Sequence, residues 1–139
     1  MKKLATLIMV VILLVCMSVT VLAIPVPAAP TTESEFYAAD YAKVLSDETK
    51  SAILSGNQSL RTSMGGEIVV VTVDSTDGKE ISQYATELGN AWGVGSAQYN
   101  NGMVLLISVS DDDYYVALGT GLTGLESKVK EVLNNDLEP

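Results

Sequence analysis

The chain has 139 residues, one cysteine, no histidine and a formal charge of −9, enough for one domain and less once a leader is removed. That composition excludes Ser-His-Asp nucleophile systems, phosphohistidine mechanisms and soft zinc sites. The acid excess repels phosphate backbones and anionic lipid, so nucleic acid is not an expected partner, and cations are the more natural small ligands.

Met1-Lys2-Lys3 followed by the apolar run Leu4 to Ala23 has the charged and apolar regions of a secretory signal. Residues 1–28 are therefore expected to be a leader, cut after Ala23 (with Val21 two before it) or after Ala28 (Val26-Pro27-Ala28). Left uncut, the 20 residues from 4 to 23 are long enough to act as a membrane anchor. Cys16 lies in this segment, so the mature chain has no disulfide and must hold together through its core. Removing residues 1–28 leaves six basic against seventeen acidic residues, a net charge of −11. Surplus acid of this kind also simply keeps an exported protein soluble.

The run from Ile24 to Glu35 is proline-rich and then polar, so residues 29–35 read as a tether and 36–139 as the domain. Phe36 to Val44 opens the folded part. Ser46-Asp47-Glu48 is a helix start, an N-cap serine with acids in the first turn. Ile53, Leu60 and Met64 mark the buried face of that helix, Gly56 and Asn57 weaken its middle, and Gly65-Gly66 stops it. Ile68 to Val73 is the strongest strand, apolar on both faces and thus central and parallel to a neighbour. Ile81, Tyr84, Ala85, Leu88 and Trp92 then form one helical stripe, ended by Gly93 and Gly95. Met103–Val109 and Tyr114–Leu118 make an antiparallel hairpin across an acidic turn, with the first of these strands buried on both faces. After Gly124 a last helix carries Leu125, Val129, Val132 and Leu133. A strand–helix–strand unit implies a right-handed parallel crossover, and the expected fold is α/β, a three-layer α/β/α sandwich with a small mixed sheet flanked by helices.

The chemistry left to such a chain is that of oxygen ligands, which suits hard cations. Arg61 is the only arginine, so few groups could clamp a phosphoryl oxygen. Two clusters compete for a divalent cation, calcium above all. One gathers Asn100, Asn101, the glycine loop at Gly119 and Gly121 and, if the N-terminal segment packs there, Asp40. Its bland alternative is turn chemistry, since Asn-Gly and glycine supply left-handed backbone without binding anything. The other is Asp111, Asp112 and Asp113, denser in charge but drawn from a single turn, where adjacent acids usually stay solvated and discourage edge pairing. Trp92 and Tyr84 are expected in the core.

Five segments in order, Asp40–Ser46 (DYAKVLS), Gly65–Val73 (GGEIVVVTV), Ile81–Gly95 (ISQYATELGNAWGVG), Asn100–Ser108 (NNGMVLLIS) and Ala117–Gly124 (ALGTGLTG), resemble the TPM domain family. That family takes its name from a thylakoid lumen protein, a photosystem II repair protein and a nematode receptor modulator. The resemblance runs from Phe36 to about Leu137. It implies an extracytoplasmic α/β/α domain, often tethered to a membrane, with divalent-cation binding in some members and acid phosphatase activity in a plant one. The chain departs from the family at Asn100, where an aspartate is usual, and at Pro139, short of the family's last helical segment. The domain is therefore expected to be truncated at its C-terminal end.

Together these readings lead to an exported, non-catalytic interaction or accessory module of the cell envelope, secreted or membrane-associated, working with an envelope or membrane protein partner and binding calcium weakly. The alternative is a metal-dependent acid phosphatase acting on phosphate esters, with an aspartate or a metal-bound hydroxide as nucleophile.

Overall fold

The computed structural model describes residues 25–136, and the expected leader up to residue 24 lies outside them. The elements are α1 (Glu33–Tyr37), β1 (Ala38–Asp40), α2 (Asp47–Met64), β2 (Glu67–Val73), α3 (Ile81–Trp92), β3 (Gly102–Ser108), β4 (Asp113–Leu118), a 3-10 turn (Thr120–Leu122) and α4 (Glu126–Asp136). The sheet order is β1-β2-β3-β4, with β1, β2 and β3 parallel and β4 antiparallel to β3. This is an α/β fold built on a mixed four-stranded sheet.

β2 is central because its sequence tolerates burial on both faces, and Val69, Val71 and Thr72 are fully buried. Register sets Val69 beside Val104 and Val71 beside Leu106, and Tyr84, Ala85, Leu88 and Trp92 of α3 pack into the same core. Along β3, burial alternates. One face is sealed, and Met103, Leu105 and Ile107 on the other are only half-buried, where burial on both faces was expected.

Helix ends fall where the caps direct them. Ser46 accepts a hydrogen bond from the Thr49 N–H at 3.1 Å, and Gly65 closes α2 in the left-handed region. Inside α2 the expected stripe is altered. Met64 is 64 % exposed, and Asn57 is buried in its place. Asn57 donates to the Ile68 carbonyl at 2.7 Å and accepts from the Ile68 N–H at 2.8 Å, so its amide works as a short strand at the edge of β2 beyond the end of β1. A residue that weakens a helix by propensity here fixes that helix to the sheet.

Upstream, the stretch read as a tether carries α1, whose N-cap Thr32 accepts from the Glu35 N–H and donates to the Glu35 carboxylate at 2.6 Å. At the other end, Val129 and Leu133 of α4 line a groove against β4, while Val132 is 57 % exposed and Leu125 precedes the helix. Among the described residues no helix is long and apolar enough to cross a membrane.

Candidate functional site

At the end of the sheet where β3 begins, backbone segments crowd together. The Gly119 N–H donates to the Gly102 carbonyl at 2.8 Å and the Gly121 N–H to the Asn100 carbonyl at 2.9 Å. A Cβ at Gly121 would lie 1.8 Å from the Tyr99 carbonyl oxygen, and one at Gly102 would lie 2.2 Å from that of Val94. Glycine is required at both positions because backbone meets backbone with no room for a side chain. The hairpin thus brings Asn100, Asn101, Gly119 and Gly121 to one edge. Asn101 spends its amide on structure: Oδ1 accepts from the Ser96 N–H and Nδ2 donates to the Met64 carbonyl. Asn100 sits in left-handed backbone at φ 47° with its side chain exposed.

Asp40 does not join them. It pairs with Thr72, which is level with Ile107, five residues and roughly 16 Å along the sheet from Gly102. β1 is parallel to β2, so its last residue falls at the opposite edge. There its carboxylate is buried, with only 4 % of the side chain exposed. Oδ1 accepts from Thr72 Oγ1 (2.7 Å) and the Val44 N–H (2.9 Å), and Oδ2 from the Leu45 N–H (3.2 Å) and Lys50 Nζ (2.9 Å). Burial alone would raise this carboxyl, but Thr72, Lys50 and the two backbone donors outweigh it and hold it at about 2.

The three aspartates of the hairpin turn lie at this second edge and take three separate roles. Asp111 accepts from Ser108 Oγ (2.6 Å), the Thr76 N–H (2.8 Å) and Ser75 Oγ (3.0 Å), tying the β2–α3 loop to the turn. The Ser108 hydroxyl first, then the Thr76 N–H and Ser75, pull its carboxyl below the ordinary range. Asp112 takes the left-handed conformation at φ 51°, and Asp113 opens β4 with Oδ1 on its neighbour's N–H. Among the described residues, no group of three or more acids converges on a point suited to a metal ion.

The glycine edge opens into a groove of about 290 Å³ between α3 and β4. Thr86, Asn90, Asn100 and Thr120 give it a polar rim, and Val94 and Ala117 are part of its apolar lining. The sequence offered no sign of this groove, because Thr86 and Asn90 are the solvent face of a helix and approach Thr120 only through the fold. Beside it, the Gly95 N–H donates to Glu67 Oε2 at 2.9 Å, and Arg61 Nη1 reaches the Tyr37 hydroxyl at 2.8 Å.

Comparison with known proteins places this architecture. The family model for the TPM domain matches residues 38–139. No curated protein matches. Two solution structures are similar in fold. The N-terminal domain of a protein from P. gingivalis aligns with a TM-score of 0.66 and 24 % identity, over 81 % of this chain and 76 % of that one. The N-terminal domain of the cg2496 protein from Corynebacterium glutamicum aligns with a TM-score of 0.61 and 19 % identity, over 82 % and 74 %. With a family model covering most of its length, and that fold beneath it, the chain belongs to the TPM domain family.

Proposed function

We propose that this chain is an exported, non-catalytic interaction module of the cell envelope, and that it engages a protein partner through the groove between α3 and the glycine loop. The carrying observation is the composition of that groove, an apolar lining ringed by two threonines and two asparagines. Neutral amides and hydroxyls around apolar area suit a partner's side chain, which gains burial at the centre and hydrogen bonds at the rim. The leader-like N-terminus and the mature charge of −11 support a site of action outside the cytoplasm. At the opposite edge, Asp40 and Asp111 are held by hydroxyl and backbone donors. Such carboxylates organise loops and are poor nucleophiles, since the donors that lower their pKa also stabilise the charge an attack would consume.

A weak calcium site at the glycine edge forms part of this reading. Its ligands would be the Asn100 side chain and backbone carbonyls of the Gly119–Gly121 loop, without Asp40, and water would complete the shell. Affinity is low because one neutral amide supplies little charge.

The test is capture of membrane and envelope proteins by the full chain, with Thr120→Trp as the control that fills the groove. Specific partners lost in that variant support the reading. Chelator-sensitive hydrolysis of a phosphate ester at enzyme-like rates, abolished by Asp111→Asn with the fold intact, would overturn it in favour of a metal-dependent phosphatase.

A further inference from the structure

The segment just before α1 lies on the domain as a strap. Val26 packs half-buried against the core. Trp92 Nε1 donates to the Pro27 carbonyl at 2.8 Å, and the Tyr41 hydroxyl donates to the Ala28 carbonyl at 3.4 Å. Trp92 is only 8 % exposed, and its ring lies 5.9 Å from that of Phe36. A largely buried indole N–H needs an acceptor, and the strap provides one.

Two peptide bonds fit a leader peptidase that wants small residues at the cut and two before it, Ala23–Ile24 and Ala28–Ala29. The strap separates them. Cutting after Ala28 removes Val26, Pro27 and Ala28 together, which strips a covering side chain from the core and the acceptor from Trp92. Cutting after Ala23 leaves all three contacts in the mature chain. Processing precedes folding, so the strap does not shield the second bond. A product that began at Ala29 would, however, carry a core shaped for a segment it no longer had.

We propose that the leader is removed at the Ala23–Ile24 bond and that Val26–Ala28 are a structural part of the mature domain. This rests on the export reading above. In the reaction one water is consumed: the Ala23 carbonyl carbon gains hydroxide and leaves on the leader as a carboxylate, and the amide nitrogen, protonated, becomes the α-amine of Ile24. The co-reactant is a membrane leader peptidase of the secreting cell.

The experiment is secretion of the full chain with its own leader, followed by intact mass and N-terminal sequencing of the exported product, beside the variant Ala28→Gln. The expected result is a chain beginning at Ile24, with the variant processed at the same bond to the same extent. A product beginning at Ala29, or accumulation of the Ala28→Gln precursor, overturns the proposal. An exported domain that keeps Met1 also overturns it and identifies an uncut anchor. Retention of the whole chain in the cytoplasm overturns the export reading itself.

Discussion

Replacing Asp40 by asparagine should make the domain's acid stability measurably flatter. With Oδ1 kept in place, the amide still accepts from Thr72 Oγ1 and the Val44 N–H. Its NH₂ then replaces Oδ2 and faces two donors, the Leu45 N–H and Lys50 Nζ. Lys50 is 39 % exposed and can turn to water, so little of the loss is the ion pair itself. The N–H turned towards the Leu45 N–H costs roughly 1–3 kcal/mol, a defect that the wild-type carboxyl shares once it is protonated, so it separates the two proteins only while Asp40 is charged. Linkage gives an independent magnitude: a carboxyl held at about 2 against an ordinary 3.8 contributes roughly 2 kcal/mol at neutral pH. Because the folded value is the lower one, this stabilisation is present in full above the unfolded value and is lost as pH falls from about 4 towards 2. Urea unfolding from pH 7 down to 2.5, monitored through Trp92, therefore compares wild type with Asp40→Asn. The gap should be about 2 kcal/mol at pH 7 and mostly closed at pH 2.5. The difference between the two proteins removes the contribution of every other acid. A gap of equal size at both pH values would refute the assignment, since the variant would then be destabilised by something other than the charge.

Further outcomes follow from other sites. Gly121→Ala should destabilise by about 1–3 kcal/mol or more, because its methyl would meet the Tyr99 carbonyl oxygen. Gly56→Ala, in open space within α2, should stabilise by about 1 kcal/mol, and equal effects in denaturant titrations would contradict the crowding at the glycine edge. The Thr76 amide proton should titrate by NMR with a midpoint below the ordinary aspartate value of 3.8, reporting the Asp111 carboxylate it donates to; a midpoint at or above that value would show that the bond does not persist in solution. Calcium should shift amide signals at Asn100 and Thr120, and Asn100→Asp should tighten binding by supplying a carboxylate. Shifts confined to Asp111, Asp112 and Asp113 would place the cation at the opposite edge.

Much of this architecture is legible in the residues alone, for a definite reason. β2, α3 and the β3–β4 hairpin announce themselves through the period of their apolar residues, and Ser46, Gly65 and Gly93 through local cap chemistry. Both signals are carried within a few positions of the chain. The capping pair Thr32 and Glu35 carries a signal of the same local kind, yet the composition of 29–35 reads as a tether and hides α1. β1 was not legible. Three residues carry no period, and Ala38-Ala39-Asp40 becomes a strand only because β2 offers it an unpaired edge. Which edge Asp40 joins is likewise a matter of strand direction, and a parallel β1 sends it to the end opposite Asn100. Asn57 gives the reverse lesson, a helix-weakening residue whose worth lies in the backbone it meets eleven positions later. The sequence by itself determined the longer elements, because their signals depend on near neighbours. Tertiary structure alone decided the partners of Asp40, Asp111, Asn57 and Trp92, because each hydrogen-bonds to a segment that only the closed sheet brings within reach.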